Sequence, residues 1–387
     1  MRVRTALAIG FGLFLLTPAL SYAAPLKNTL EISGWIPYWR EDAGTADVMA
    51  HLDSLTAIHP FGYTVTSEGV LNDAMGIADE PWKSLIIAAK AKKVRVIPTV
   101  MWGDGATIHK ILSNTKTRIA LEDEIAALVK REGFDGIDID FEAKYAETRP
   151  YFSTFLKGLY QRMGPKWVYC TLESRTPLSS RYPDGGAPAD ATDYANDYVE
   201  INKYCDRVLI MAYDQGRVDK KLNKDMADPY APVSDVLWAQ KIMQLAAQTI
   251  PKRKLILGIP TYGYEWLVEP LSGGTLQYSR LWAFNPRYAT DLATAQGLSP
   301  VRNTAGELSL TYFPYMATST PTTFGVTSVA QAVGPAASQM QPFNFMSWSD
   351  AVAIAQKVAI AKQLGIRGVS VFKFDGGEDQ GIWDIFK

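Results

Sequence analysis

The chain has 387 residues, 47% of them hydrophobic, and 39 basic against 40 acidic side chains give it a formal net charge of −1. It is long enough to bury a sizeable core, and because no basic stripe is visible we expect no nucleic-acid partner. The histidines His51, His59 and His109 share no ligand spacing, so we expect no metal site and no cofactor. Cys170 and Cys205 are too few for a disulfide framework, and they either pair or stay buried as thiols.

The N-terminus is typical of an export signal. Arg2 and Arg4 precede an apolar run over residues 6–16, and S-Y-A at 21–23 is a small-x-small cleavage site. We therefore predict a signal peptide over residues 1–23, with an apolar run too short to span a bilayer. The expected product is a secreted protein, periplasmic or extracellular, with no membrane anchor after cleavage. We expect the mature protein to be a monomer.

Beyond residue 30 the sequence alternates between strand-like and helix-like segments. Residues 94–101, for example, are β-branched and continuous, which is typical of a buried parallel strand. Eight strands with intervening connections fit the count of an α/β protein of the (β/α)8 TIM-barrel type over residues 24–387. The predicted strands are 32–38, 55–65, 94–101, 134–142, 167–173, 207–214, 254–262 and 368–374. The predicted helices are 82–91, 116–132, 151–163, 194–204, 236–248 and 349–364.

The segment between strands 7 and 8 is far longer than an ordinary βα loop. Strand-like runs such as 308–313 flank a turn at 303–306, and residues 317–338 are rich in Thr, Ser, Pro and Ala. We predict a small α+β insertion over 267–342 with a mobile tip. A long disordered surface loop is the alternative for the Thr-rich part.

The most informative stretch reads F-D-G-I-D-I-D-F-E at 134–142. With the two-residue period of a strand, Asp138, Asp140 and Glu142 lie on one face and apolar residues on the other. A surface strand of an antiparallel sheet would also alternate, but Asp is depleted in strands and a row of like charges repels. In a confined cleft at least one carboxyl pKa must rise, and such a carboxyl is a general acid at neutral pH. A calcium loop fits less well, because its glycine follows the acids.

Residues 135–142 resemble the D-G-x-D-x-D-x-E signature of glycoside hydrolase family 18, the chitinase family. M-A-Y-D at 211–214 and K-L-I-L-G-I-P-T-Y-G-Y at 254–264 are similar to the family's sixth and seventh strands. The resemblance implies a (β/α)8 barrel in which the acidic segment is strand 4 and ends at the active-site face. It also implies that the insertion between strands 7 and 8 walls a substrate groove.

The resemblance implies a retaining glycosidase that cuts β-1,4 bonds next to N-acetylglucosamine in chitin-type or peptidoglycan polymers, with assistance from the substrate. Glu142 would be the general acid that protonates the glycosidic oxygen. Asp140 would orient the substrate's acetamide group, and Asp138 would share a proton with Asp140. Tyr213 would donate to the acetamide oxygen, and Asp214 would bind the sugar.

Aromatic side chains at or just past the strand ends are candidates for stacking on sugar rings, although each one taken alone is more often a core residue. Phe372 stands in strand 8 where the family usually has the tryptophan that floors the central subsite, and this puts tight chitin binding in doubt. Tyr264 and Trp266 lie at the same level of the barrel. The predicted substrate-binding residues are Asp214, Trp35, Trp39, Trp102, Tyr145, Tyr262 and Phe372.

Charged residues also stand at the ends of strands 5 and 8, at Glu173, Arg175, Lys373 and Asp375. Ion pairing explains them as well as a role in the groove does. The sequence of strand 8 and the G-G-E-D that follows at 376–379 more closely resemble the bacterial branch of the family that acts on peptidoglycan or spore walls.

Two other classes of function stay open. A non-catalytic, chitinase-like glycan-binding protein would keep the barrel and the aromatic residues but would usually lack the acid that Glu142 supplies. A secreted structural or interaction protein with a relic site is the other alternative, and Phe372 is its best support. Hydrolysis of an N-acetylglucosamine oligomer would separate the enzyme from both.

Overall fold

The computed structural model describes residues 30–313 and 341–387, so the predicted signal peptide and the Thr-rich stretch of the insertion lie outside the described residues. Fifteen strands are found in these ranges. In chain order they are β1 (Glu31–Pro37), β2 (Ala57–Val65), β3 (Leu71–Asp73), β4 (Arg95–Val96), β5 (Thr99–Trp102), β6 (Gly136–Phe141), β7 (Trp167–Glu173), β8 (Arg207–Met211), β9 (Leu255–Pro260), β10 (Gly263–Pro270), β11 (Leu276–Phe284), β12 (Val301–Arg302), β13 (Leu308–Tyr312), β14 (Phe343–Trp348) and β15 (Gly368–Phe372).

The helices cover the outside of the barrel and part of the insertion. In chain order they are α1 (Glu41–His51), α2 (Trp82–Ala91), α3 (Gly105–Ser113), α4 (Thr115–Glu132), α5 (Arg149–Met163), α6 (Leu178–Arg181), α7 (Tyr198–Tyr204), α8 (Lys220–Asp225), α9 (Val236–Ala246), α10 (Pro286–Ala295), α11 (Ala351–Leu364) and α12 (Ile382–Ile385). None of the helices in the two described ranges is long and apolar enough to cross a membrane.

Eight parallel strands close into a barrel in the order β1, β2, β5, β6, β7, β8, β9, β15. The ring is completed where β1 pairs with β15, with Trp35 opposite Phe372, and with β2, with Trp35 opposite His59. The eight-stranded α/β barrel predicted from the sequence is therefore confirmed. Because the strands are parallel, their carboxyl ends meet at one mouth, where the βα loops can combine side chains from several strands.

Side chains alternate between two layers along each barrel strand. Outward residues such as Ile137, Ile139 and Phe141 of β6 pack beneath the helices in the main core. Inward residues such as Tyr169 and Leu209 fill the barrel interior. The acidic residues of β6 therefore point to the barrel axis rather than to solvent.

A buried ion cluster closes the end of the barrel opposite the mouth. Glu31, at the start of β1, accepts hydrogen bonds from Arg207 and Arg367 at 2.7 and 2.8 Å, and it lies 3.2 Å from Arg95. Burial alone would raise the pKa of Glu31, but these arginines outweigh it and lower the pKa to about 2. The cluster stabilises an end of the barrel that takes no part in the site.

The third barrel strand departs from the prediction of one continuous strand over 94–101. It consists of β4 and β5 with Ile97 and Pro98 between them. Pro98 has no N–H to donate to the ladder, which explains the break, but its carbonyl still accepts the Asp138 N–H at 2.8 Å. The helix predicted over 194–204 begins only at Tyr198, because the Asp197 carboxylate caps it. Helices α1 and α3 have no counterpart in the prediction.

The segment between β9 and β15 carries a second, antiparallel sheet in the order β11, β10, β14, β13, β12, together with helix α10. The sheet begins at Gly263 and ends at Trp348, so it extends beyond the predicted bounds of 267–342 on both sides. Glu307 joins this sheet to the barrel. Its buried carboxylate accepts the backbone N–H groups of Val233 and Ser234 at 3.0 and 2.7 Å.

Cys170 and Cys205 form a disulfide bond, with their Cα atoms 6.0 Å apart. The bond joins the middle of β7 to the residue that follows α7. It therefore closes the loop that leaves the barrel mouth after Glu173. Of the two alternatives that the sequence leaves open, the structure has the paired one.

Candidate active site

The two acids of strand β6 and Glu142, which directly follows it, form a gradient of burial along the barrel axis. Asp138 is fully buried, Asp140 is 3% exposed, and Glu142 is half-buried at the mouth. Strand alternation places all three on the inward face, and the register sets Thr99 opposite Asp138 and Met101 opposite Asp140. A substrate in the mouth would therefore meet Glu142 first, with Asp140 beneath it.

Asp138 is held by three donors, two from the adjacent strands β5 and β7 and one from β1 across the barrel. The Trp35 indole N–H and the Thr99 hydroxyl donate to Oδ2 at 3.0 and 2.8 Å, and the Thr171 hydroxyl donates to Oδ1 at 2.8 Å. Both carboxylate oxygens are thus occupied, and a buried polar group with its partners in place is fixed in position. Asp138 forms the rigid base of the row.

The surroundings of Asp140 disfavour its ionised form. Burial, followed by the charges of Glu142 and Asp138, raises its pKa well above the ordinary value. Its Oδ1 atom is buried and has no hydrogen-bond partner among the described residues. A proton on Asp140 at neutral pH would relieve the repulsion and provide a donor directed within the site.

Glu142 also has a raised pKa. Burial is the main cause, and the charges of Glu173 and Asp214 add to it, while the ammonium group of Lys144 acts in the opposite direction. A carboxyl with a raised pKa at the mouth of a barrel meets the requirement for a general acid. Of the three acids of the row, Glu142 is the one that substrate can reach.

The sequence prediction missed Lys144 and left Glu173 open between ion pairing and function. The Lys144 side chain is fully buried beside the acids, its Nζ donates to the Phe141 carbonyl, and it lies 3.6 Å from a Glu173 oxygen. Burial lowers the Lys144 pKa. Glu173 in turn accepts the Ala143 N–H at 2.9 Å and the Asn196 amide at 2.7 Å. The pair therefore holds the turn that follows Glu142.

The signal that could have revealed this pair is a lysine two residues after the acidic row. Because Ala143 has a φ of +54°, the chain turns sharply there and returns Lys144 towards the barrel. In the loop that follows β7, which also carries Asn196, the Arg175 guanidinium lies 4.0 and 3.8 Å from the ring centroids of Tyr194 and Tyr198. The ion pair between Lys144 and Glu173 therefore also positions the turn that follows Glu142.

Strands β8 and β9 contribute a tyrosine and carboxylate group to the mouth. Burial, followed by the charges of Asp140 and Asp214, raises the pKa of Tyr213 well above its usual value, so its phenol stays protonated. Asp214 Oδ1 accepts hydrogen bonds from Tyr262 and from Tyr264, the latter at 2.7 Å. A side chain at Gly258 would meet the Tyr213 ring at 3.0 Å, so the glycine makes room for it.

Phe372 lies at the centre of an aromatic floor. Its ring stacks on Tyr213 with centroids 5.6 Å apart, and Trp35, Phe61 and Tyr262 contact it edge-on at 5.9 to 6.1 Å. The ring is half-buried, so one part of it stays open to the mouth. The structure thus brings Phe372 together with the predicted catalytic tyrosine.

Three of the aromatic residues predicted to bind substrate do not offer a face to the groove. Tyr262 is 5% exposed and donates to Asp214 instead. Trp35 is 1% exposed and acts instead as a donor to Asp138. Trp102 is 4% exposed, because it lies on the outward face of β5 and packs edge-on against Phe141 in the main core. Trp39 and Tyr145, in contrast, are about half exposed and stand on the rim.

The remaining charged residues at the strand ends are explained by local pairing. Lys373 forms an ion pair with Asp375 and donates to the Asn285 side chain at 3.2 Å. Within residues 30–313 and 341–387 no group of three or more His, Cys, Asp or Glu side chains is arranged to hold a metal ion.

Comparison with known proteins agrees with this geometry. An uncharacterized glycosylase of Bacillus subtilis (strain 168), YvbX, is 24% identical over 348 residues, which are 87% of this chain and 88% of that protein. The spore cortex-lytic enzyme SleL of Bacillus cereus has a similar structure, with a TM-score of 0.69 and 18% identity over 92% of this chain and 73% of that one. A class V chitinase from Pseudomonas fluorescens Pf-5 has a TM-score of 0.69 and 22% identity, over 92% of this chain and 98% of that one.

The two solved structures share the barrel fold with this chain. The family profile of the glycosyl hydrolases family 18 matches residues 35–377, which include every strand of the barrel except the first residues of β1. This match, together with the acidic strand at the barrel mouth, shows that the chain belongs to glycosyl hydrolases family 18 and is a glycoside hydrolase.

Proposed function

We propose that the protein is a retaining glycosidase that cuts β-1,4 bonds next to N-acetylglucosamine, with Glu142 as the general acid. The observation that carries this proposal is the half-buried Glu142 at the end of a buried acidic row, with a pKa raised by burial and by neighbouring carboxylates. Glu142 would protonate the glycosidic oxygen as the bond to the leaving sugar breaks.

The geometry favours nucleophilic assistance from the substrate rather than from a second carboxylate. In the two-carboxylate route of retaining enzymes, a free carboxylate must reach the anomeric carbon. Glu173 is engaged by the Ala143 N–H and the Asn196 amide, and Asp214 by two phenols. The acetamide oxygen of the substrate would then form the bond to the anomeric carbon, giving a cyclic oxazolinium ion that water opens.

Three side chains would support this step. Protonated Asp140 has an unpaired Oδ1 in the site and would orient the acetamide nitrogen as the positive charge develops. The Tyr213 phenol stays protonated and would donate to the acetamide oxygen. Asp138, fixed by its three donors, would share a proton with Asp140 and keep it in place.

The groove fits a polymer of acetylated amino sugars. Trp39 and Tyr145 on the rim, and Phe372 on the floor, offer aromatic faces for sugar rings. Relatives of the fold include a protein named as a spore cortex-lytic enzyme and one named as a chitinase, so both peptidoglycan and chitin-type glycans are candidate substrates. The predicted signal peptide at 1–23 would direct this activity outside the cytoplasm.

The experiment that tests the proposal compares the mature wild type with Glu142→Gln on chitooligosaccharides and on purified peptidoglycan, with products identified by mass. Glu147→Gln is the matched control, because Glu147 is 72% exposed on the same loop. The Glu142 variant should lose about 10²- to 10⁴-fold in rate and the control should keep the wild-type rate. A Glu142→Gln protein that retains most of its rate on a substrate with a poorly acidic leaving group would refute the assignment. Binding without turnover by the wild type would instead indicate a glycan-binding protein.

A further inference from the structure

One face of the insertion sheet looks onto the barrel mouth. Tyr264 and Trp266 alternate along β10, and Arg280 lies opposite Trp266 on the neighbouring strand β11, so all three share a face. The Tyr264 hydroxyl donates to Asp214 at 2.7 Å, which identifies this face as the one beside the site. We name the surface formed by Tyr264, Trp266, Tyr278 and Arg280 the insertion wall.

Arg280 is held at this wall by an aromatic ring rather than by an acid. Its guanidinium carbon lies 4.8 Å from the centroid of the Tyr264 ring, and its side chain is exposed. Such a contact fixes the plane of the guanidinium and leaves its N–H groups available. Across residues 30–313 and 341–387, no carboxylate forms a salt bridge with it. Arg217, which packs on Tyr278 of the same wall, is different: it donates to the Tyr230 carbonyl at 2.6 Å and lies 3.6 Å from Asp228.

The position of Arg280 matters because carboxylates stand at the mouth of the barrel. The charges of Asp214 and Glu173 would repel a glycan that carries negative charge. The Tyr264 side chain links the two residues, because its ring contacts Arg280 and its hydroxyl donates to Asp214. Arg280 therefore lies on the wall along which the chain of sugars would run. Guanidinium groups bind carboxylates through two parallel hydrogen bonds, a geometry that a lysine does not reproduce.

We propose that Arg280 binds a carboxylate carried by the glycan, so that the groove selects an acidic amino-sugar polymer over a neutral one. This inference rests on the proposed glycosidase function and names its substrate class more closely. The carboxylate would belong either to an acidic ether substituent on the sugar, as in muramic acid, or to a peptide attached to it. Both sources present the same group to the guanidinium.

The test uses three oligosaccharides of equal length: peptide-free strands of alternating N-acetylglucosamine and N-acetylmuramic acid, the same strands with their carboxylates converted to amides, and chitooligosaccharides. Wild type, Arg280→Gln and Arg280→Lys are compared, with Arg287→Gln as the control. Arg287 is 87% exposed on helix α10 of the same insertion and pairs with Asp291.

Arg280→Gln should raise KM for the acidic strands about tenfold, the factor expected for one hydrogen-bonded charge pair, and leave KM for the two neutral substrates within about twofold. Arg280→Lys should be intermediate on the acidic strands, and Arg287→Gln should match the wild type. Added salt should weaken the wild-type preference but not the activity on neutral substrates. An equal loss on all three oligosaccharides would overturn the proposal, and so would the absence of any loss both on these three and on strands that carry peptides.

A fourth substrate separates the two sources of the carboxylate. If the effect of Arg280→Gln appears only with peptide-bearing strands, then the bound carboxylate belongs to the peptide. An effect that is already complete on peptide-free strands assigns it to the sugar. Binding titrations in a Glu142→Gln background give the same comparison without turnover. The substrate selectivity proposed for Arg280 and the catalytic role proposed for Glu142 can therefore be refuted independently of each other.

Discussion

Removing the disulfide bond between Cys170 and Cys205 should lower the free energy of unfolding by an amount that follows from the loop it closes. The two residues are 35 positions apart. In the chain-entropy relation, a cross-link of this span removes about 12.7 cal/mol/K from the denatured chain, which corresponds to about 3.8 kcal/mol at 25 °C. For a single domain this is a large part of the total stability.

The assay is urea unfolding followed by tryptophan fluorescence. The double variant Cys170→Ala/Cys205→Ala is compared with the wild type in the presence and in the absence of a reductant. The reduced wild type keeps both sulfur atoms, so its difference from the oxidised protein isolates the cross-link from the cavity that the alanines leave. Identical unfolding midpoints for oxidised and reduced wild type, at equal m-values, would refute the reasoning.

The same variant should stay active when it is folded. The loop between the two cysteines carries Glu173, Arg175 and Asn196, but these are also held by hydrogen bonds and by stacking on tyrosine rings. We therefore expect kcat/KM at 25 °C to change little while stability falls. A large loss of activity in fully folded protein would show that the disulfide, and not these contacts, positions the loop.

Three further changes give separate tests. Glu173→Gln should move the alkaline limb of the kcat/KM profile to lower pH, because removing this charge lowers the raised pKa of Glu142. The shift should be a fraction of a pH unit, since solvent screens the partly exposed Glu173. An alkaline limb that does not move would contradict this prediction. Tyr264→Phe should raise KM about 2- to 10-fold with kcat almost unchanged, because Asp214 loses one of its two phenol donors. A loss in kcat alone would count against a role of Tyr264 in substrate binding. Glu31 has a folded pKa of about 2 against an ordinary 4.5, so its charge stabilises the protein above pH 4.5 and this contribution is lost as the pH falls towards 2. Glu31→Gln should therefore be less stable than the wild type at pH 7, and the difference in urea midpoint should shrink between pH 4.5 and 2; a constant difference would show that the charge is not responsible.

The acidic row could be predicted from the sequence because strand alternation is a strictly local property. Once residues 134–142 are a strand, Asp138, Asp140 and Glu142 must share a face, and the apolar residues between them require a covering layer. The count of alternating elements fitted the barrel that the family resemblance also implied. Local pattern and global fold agree here, which is the usual condition for a reliable prediction.

The side-chain roles of Trp35 and Trp102 could not be predicted because they depend on register and depth. Trp35 lies at the level of Phe372 inside the closed barrel, a fact set by the pairing of the first and last barrel strands, which are more than 300 residues apart. Trp102 faces outward because the inward positions of β5 are those of Thr99 and Met101, and side chains alternate along the strand. Proximity to a strand end does not reveal either fact.

The contact between Lys144 and Glu173 could not be predicted from the sequence for a related reason. Their contact joins two loops whose shapes depend on the backbone at Ala143 and on the disulfide-closed segment after β7. No periodic pattern encodes such a contact. The pairing of Cys170 with Cys205 is similar, because two cysteines give no signal of distance until the fold brings β7 and the end of α7 together.

The carboxylate of Glu307 has a consequence for engineering. Insertions between the last two barrel strands are natural units to exchange between family members when a different groove is wanted. In this protein such an exchange would remove the acceptor for the backbone N–H groups of Val233 and Ser234, each of which would cost about 1 to 3 kcal/mol if left buried without a partner. A transplanted insertion must therefore bring an equivalent acid at this position, or the residues at 233–234 must be redesigned with it.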